Sequence, residues 1–304
     1  MGSLIDYLTI LIGTLPSMCA GILATFAVTL IFKTSYTTNF AQGVISAIGA
    51  YVAVEMSMLR ALPLWQVAIF GVLAAFALGV VIDVVIFRNG RYVNVLGKQI
   101  ISMGLISIII GVIPFLFKVF HFESIPVAPI IALDKGAKLG GVFIQYNTMV
   151  AVAITAVMLT VVFILLQKSK WGLSVRATAS NEIVAGMMGI NTKIITATSW
   201  GIAGAFGAVA AIIYIGTATL SSGYIMTGTQ INAFLAGILG GFATFHGPVL
   251  GAVIIYMMNA LVGCVGLHVP EISGWKSAIV YFLVMLLVLI KPQGLFGKKM
   301  VKKV

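Results

Sequence analysis

The segment SVRATASNEIVAGMMGIN (residues 174–191) is the polar stretch whose reading decides how the rest of the chain is arranged. Read as one helix, it places Val175, Ala179, Ile183, Met187 and Ile190 along a single apolar face. Arg176, Ser180, Asn181 and Glu182 fall elsewhere. Ser174 is the expected N-cap. Gly189 and Asn191 are the expected stop, because both tolerate the left-handed backbone found past a helix end. The segment is too polar to cross a bilayer, yet apolar runs of membrane length flank it at 147–167 and 194–215. It is therefore expected on an aqueous side, either lying on the lipid surface or offering a docking face to a partner. A surface helix would carry more Lys or Arg than one Arg and one Glu.

Composition supports a membrane setting. The 304 residues are 61% hydrophobic and 8% charged, with a mean hydropathy of +1.16. A soluble domain carries about 25% charged residues, so this chain cannot build a water-exposed surface. The expected class is an all-α polytopic membrane protein forming one domain over 1–304. The net charge of +11 suggests a nucleic-acid partner at first. Lys and Arg collecting in cytoplasmic loops give the same balance, and no nucleic acid is expected. Cys19 and Cys264 sit in apolar runs and read as packing residues. The N-terminus lacks a basic n-region and carries Asp6, so no cleaved signal peptide is expected.

Nine runs are candidates to cross: 13–32, 41–58, 64–87, 99–117, 147–167, 194–215, 228–243, 247–264 and 276–290. The second and seventh are short and rich in small residues. Eight or nine transmembrane segments are expected, one or two of them short or broken. Broken backbone at membrane depth survives only when buried in protein or lining a watery cavity. Twelve of the eighteen basic residues fall in three regions: Arg88, Arg91 and Lys98; Lys168, Lys170, Arg176 and Lys193; and Lys291, Lys298, Lys299, Lys302 and Lys303. An even number of runs separates each from the next. All three are expected on the cytoplasmic side, giving a cytoplasmic loop at 168–193 and a cytoplasmic tail at 291–304. If both short segments cross, the N-terminus lies outside. The segments near 118–146 and 265–275, which mix signs (Lys118, Glu123, Asp134, Lys135, Lys138, Glu271) and carry Pro126, Pro129 and Pro270, also fall outside; His121 is in the first.

The runs are not uniformly greasy. Gly237 and Gly241, and again Gly247 and Gly251, make G-x-x-x-G pairs. Small residues of this kind let helix backbones approach in lipid. With Gly240 and Pro248 they form the candidate packing and gating set. Asn39, Gln42 and Ser46 cluster at one short segment, and Thr229, Gln230 and Asn232 at the other. These read either as helix-to-helix hydrogen bonding or as a polar path for a small hydrophilic solute. Asp83 and Glu55 lie near span ends, where local pairing is the expected role. No phosphate-cradling loop, H-E-x-x-H pair or Ser/His/Asp arrangement occurs. No catalytic residue, cofactor or metal is expected, although a membrane enzyme stays as an alternative.

Four local matches then carry a resemblance. NFAQGVISAIGAYVA (39–53) is similar to an N-F-A-H-G segment, with Gln42 in place of His. KWGLSVRATASNEIVAGMMGIN (170–191) resembles a cytoplasmic G-x-x-x-R-A…A-x-x-x-G-I-N pattern. AFLAGILGGFATFHGPVLGA (233–252) resembles a G-G-x-G-[ST]-x-x-G-[PA] stretch, with Ala243 where Gly is usual. VLIKPQGLFG (288–297) resembles a Pro-x-Gly-[IL]-[FL]-Gly tail. IDVVIFRNGR (82–91) is similar to a fifth loop motif but lacks its Pro. In this order the matches resemble the LivH-type permease subunits of bacterial ABC importers for branched-chain amino acids.

The resemblance implies a non-catalytic subunit in the bacterial inner or plasma membrane, moving leucine, isoleucine or valine. It implies two cytoplasmic ATPase subunits, a second related permease or a second copy, and an external solute-binding protein as partners. It also implies that 174–191 is a coupling helix seated in an ATPase cleft, with Arg176, Asn181, Glu182, Ala185, Gly186, Gly189 and Ile190 as the coupling surface. Alternatives are import of urea, short amides or another small solute by the same architecture, and a stand-alone secondary carrier or channel.

Overall fold

The computed structural model describes residues 4–60, 63–90, 93–119, 135–139, 141–215 and 224–297. Arg91, His121, Glu123, Pro126, Pro129, Asp134 and the last four tail lysines lie outside these residues. All nine expected runs are helical. The helices are α1 (Leu4–Gly13), α2 (Leu15–Ser35), α3 (Gln42–Arg60), α4 (Leu64–Ile82), α5 (Val95–Val119), α6 (Tyr146–Lys168), α7 (Lys170–Ser180), α8 (Glu182–Met187), α9 (Thr192–Ile215), α10 (Thr227–Gly240), α11 (His246–Gly266) and α12 (Ile272–Ile290). A π-helical turn, Asp83–Phe87, continues α4.

The chain is not purely helical. Strands β1 (Gly136–Leu139) and β2 (Val142–Gln145) form an antiparallel hairpin that leads into α6. Among the described residues, seven helical stretches are long and apolar enough to cross a bilayer. One of these runs through α1 and α2, and α3 and α10 are not among the seven. At 1.5 Å per residue, α10 is only about 21 Å long, short of the roughly 30 Å hydrocarbon core.

Burial separates central from peripheral helices. In the most apolar stretch of α1–α2, 78% of residues are buried, against 67% in α9 and 11% in α12. The apolar side chains exposed on α5, α6 and α12 suit lipid tails. The chain is a multi-pass membrane protein. The main core lies where α2, α3, α4 and α9 meet. A second cluster joins α10, α11 and α12. The small residues of α9 explain its central place: a Cβ on Gly204 would strike the Ala75 carbonyl, and one on Gly207 would strike Ser46.

Cross-helix bonds place the described parts of all three basic regions at one end of the bundle. Arg88 donates to the Lys193 carbonyl at 3.2 Å. Lys33, at the end of α2, donates to the carbonyls of Phe242 (3.2 Å) and Ala243 (2.8 Å) in the α10–α11 turn. The segment after α12 caps α10, with Leu295 N–H on the Leu239 carbonyl at 2.7 Å and Phe296 N–H on that of Gly240 at 3.2 Å. Gly241 makes this possible at φ 86°, against Gln293 and Gly297. The opposite end gathers α1, the hairpin and the α11–α12 turn, where Tyr7 Oη lies 3.2 Å from His268 Nε2.

Candidate functional site

Two features of the bundle bear on function. The first is a polar joint at depth. After α2 ends at the basic end, residues 36–41 run into the bundle without helical structure, and α3 starts only at Gln42. This backbone is held by side chains. Asn39 Oδ1 accepts from Ala41 N–H at 3.0 Å, and Asn39 Nδ2 donates to Gln42 Oε1 at 3.2 Å. Gln42 Nε2 donates to the Ala203 carbonyl in α9 at 2.9 Å. Gln230 Nε2, in the first turn of α10, donates to the Asn39 carbonyl at 3.0 Å. Ser46 Oγ donates to the Gln42 carbonyl at 2.7 Å. Low-dielectric surroundings make such bonds strong and an unpaired partner costly.

The joint therefore brings Asn39, Gln42, Ser46 and Gln230 together, all buried. Thr229 and Asn232 turn instead toward the Tyr256 hydroxyl on α11, and Asn232 Oδ1 is buried with no partner among the described residues. A Cβ on Gly43 would meet Gln230 Oε1 at 2.8 Å and the Met226 carbonyl at 3.4 Å. The first turns of α3 and α10 thus touch, and the two helices leave in opposite directions. From there α3 runs away from the basic end, Gly49 meeting Ala208, while α10 runs toward it.

The candidate gating glycines sit at the basic-end exit of α10. A Cβ on Gly240 would strike the backbone of Gly247, next to Pro248, and one on Gly251 would strike the Ala236 carbonyl. Gly237 packs under the Phe242 ring. The α10–α11 pair is thus closed by backbone contact.

The second feature is the loop between α6 and α9. Here the single-helix reading of 174–191 is corrected: the segment is two helices broken at Asn181, which is extended at φ −161° and ψ 110°. The i+4 face drawn across it therefore does not persist. Ser169, not Ser174, caps α7, accepting from Gly172 N–H at 2.9 Å. Ser174 lies inside the helix and donates back to the Lys170 carbonyl. Asn181 caps α8, accepting from the N–H groups of Ile183 (3.0 Å) and Val184 (3.1 Å). Two strong cap residues compete with helix continuation, as Ser and Asn do wherever a cap is open to them. Gly189 ends the unit at φ 83°.

The loop is anchored rather than loose. Trp171 Nε1 donates to Thr198 Oγ1 at 3.1 Å, and Arg176 reaches the Gln167 carbonyl at 3.5 Å. Tyr36 Oη donates to the Ala179 carbonyl (2.8 Å) and lies 3.1 Å from that of Ser180. Ala185 is buried and Ile190 packs against the core. Glu182 lines a cleft of about 50 Å³ with Asp83, Arg88, Lys98 and Lys193. In it Arg88 pairs with the buried Asp83 at 3.8 Å, so Asp83 is locally paired. Arg176, Gly186 and Gly189 are exposed. Arg176 also lines a cavity of about 650 Å³ with Lys33, Gln167, Thr244 and His246.

Residues outside the expected coupling set dominate the outer face. Ile183, Val184, Met187 and Met188 are between 52% and 81% exposed. The single-helix reading places Ile183 and Met187 on the apolar face expected to meet lipid or a partner, and both are exposed; Val184 and Met188, off that face, are exposed beside them. Tyr36 was missed too, its only signal being the polar run SYTTN between two apolar stretches.

A multi-pass bundle with two shortened helices meeting at a polar joint has the build of a membrane transport protein. The family described as "Branched-chain amino acid transport system / permease component" matches residues 9–289, and the chain belongs to it. It is similar to the high-affinity branched-chain amino acid transport system permease protein BraD of Pseudomonas aeruginosa, at 26% identity over the full length of both chains. It is also similar to the permease protein LivH of Escherichia coli K12, at 28% identity over 46% of this chain and 44% of that one. A probable LivH of Methanocaldococcus jannaschii is 27% identical over 79% of this chain and 76% of the other. Each of these relatives is a branched-chain amino acid transport permease protein by name. No solved structure matches the chain.

Proposed function

We propose that the chain is the membrane subunit of an ATP-driven importer that passes leucine, isoleucine or valine from an external binding protein to the cytoplasm. Its partners are two cytoplasmic ATPase subunits and a second permease, either a related chain or another copy. The observation that carries the ATP-driven part is α8, six residues long, rigidly capped, and apolar on its outer face at the basic end of the bundle. Apolar surface in water marks an interaction site, and the excess of Lys and Arg at that end supports a cytoplasmic position, at a bacterial inner membrane in this reading. Direction of travel along the helices supports nine crossings, α3 being preceded within the bundle by the non-helical residues 36–41.

The solute class is supported by the joint. The N-termini of α3 and α10 meet there, and a helix N-terminus carries partial positive charge suited to a carboxylate. Asn39, Gln42, Ser46 and Gln230 are all uncharged, which favours a second reading, a short neutral amide as solute. Uptake by the complex reconstituted with its binding protein, across a panel of amino acids and amides, separates these. Leucine uptake that requires ATP is the expected result. Uptake that survives ATP depletion and follows an ion gradient would overturn the proposal.

A further inference from the structure

Tyr36 is the one non-glycine residue with positive φ among the described residues (φ 49°). A bulky side chain in the left-handed region persists only where its surroundings hold it there. Burial does not do so, since Tyr36 is 44% exposed. Its hydroxyl does, by donating to the Ala179 carbonyl at 2.8 Å while lying 3.1 Å from that of Ser180. These are the last carbonyls of α7, which the helix itself leaves without donors. The backbone of Tyr36 ends α2 and turns the chain into the buried segment toward α3.

That segment is short and guided. Thr37 and Asn39 are buried. Gln99 Nε2 reaches Thr38 Oγ1 at 3.3 Å, and the Phe40 N–H donates to Ser102 Oγ at 3.2 Å, so α5 brackets it. Three residues beyond Tyr36, the Asn39 carbonyl receives Gln230 of α10 and the Asn39 side chain holds Gln42 of α3. The phenol thus bonds the end of α7, and the backbone behind it leads, with no intervening helix, to the bonds that close the joint.

We infer that Tyr36 is a positioning residue that carries movement of α7 and α8 to the joint between α3 and α10. The inference rests on the proposed ATP-driven function and names the link within it. A contact shifts a conformational equilibrium only by the difference in its strength between the two states. The test is Tyr36→Phe, which keeps the ring and deletes the hydroxyl, in the complete complex with its ATPases and binding protein in proteoliposomes. The reading is solute moved per ATP hydrolysed, normalised to assembled complex.

The ratio should fall about five-fold, the typical net worth of one hydrogen bond, while ATPase retention and hydrolysis persist. Tyr36→Gly adopts the left-handed backbone without strain and should show the same fall, which assigns the effect to the phenol. An unchanged ratio in Tyr36→Phe would overturn the inference. So would an equal loss of hydrolysis and transport, the mark of an ordinary structural contact. Failure of the proposed function shows itself separately, as wild-type transport that needs no ATP.

Discussion

The α3–α10 joint and the α8 face reverse the usual placement of side chains in opposite directions. At the joint, the amides of Asn39, Gln42 and Gln230 are buried among apolar helices. On α8, the apolar chains of Ile183, Val184, Met187 and Met188 stand exposed beside the basic loops. The joint is closed within the chain, because its amides bond one another or the backbone carbonyls of Asn39 and Ala203. The α8 face is not, because no described part of the chain covers it. A closed polar unit opens only by exchanging its bonds for others, whereas an open apolar face lowers its free energy by gaining a partner. Under the proposed function, this difference suits the joint to be the moving part and α8 the driven one.

The comparison is most exposed to a charge placed on α8. Met187→Asp with Met188→Asp should lower transport by at least about ten-fold, as removal of a central interface anchor does. The fold should be unaffected, since exposed substitutions usually change stability by no more than about 0.5 kcal/mol. Uptake measures the first effect, and loss of the ATPase subunits from the affinity-tagged chain traces it to docking. Full retention would show that α8 is not a docking face. At the joint the same logic predicts the reverse pattern. Gln230→Leu leaves the Asn39 carbonyl without its side-chain donor and should cost about 1–3 kcal/mol, read as unfolding in mixed micelles with ATPase retention intact. Combined with Gln42→Leu, the loss should be less than the sum, because both act on Asn39. Strict additivity would mean that the joint is not one unit.

The nine apolar runs were legible as helices, their bounds falling within a few residues of the helix ends, but length and hydropathy mark only seven described stretches as crossing and leave out α3 and α10. The hairpin at 136–145 was not legible. Its strands, GAKL and VFIQ, are four residues each and show no clear alternation of apolar and polar residues. The polar residues of both short segments were legible as a cluster. Their meeting was not, because the bond from Gln230 to Asn39 spans 191 positions. Within 174–191, the apolar periodicity was real but the conclusion of one helix failed. Hydrophobic spacing does not register a cap in mid-pattern, and Asn181 offers its side chain to two backbone donors at once. Val184 and Met188, off the face drawn on one helix, stand exposed beside Ile183 and Met187.

Asn181→Ala tests the break with a change of sign. In one continuous helix the substitution would help, because alanine favours a helix interior over asparagine by up to about 0.7 kcal/mol. In two helices it removes the only side-chain cap of α8 and should cost about 1 kcal/mol. Hydrogen exchange at the amides of Ile183 and Val184 resolves the two, since these are the donors that Asn181 holds. Faster exchange at both, with α7 unchanged, is expected. A six-residue helix has little stability of its own, so the loss of one cap should loosen α8 while its exposed methionines keep their chemistry. ATPase binding should then weaken less than in the aspartate pair. Slower exchange would mean that α7 and α8 had fused, which would turn the Met187 face and weaken binding for a different reason.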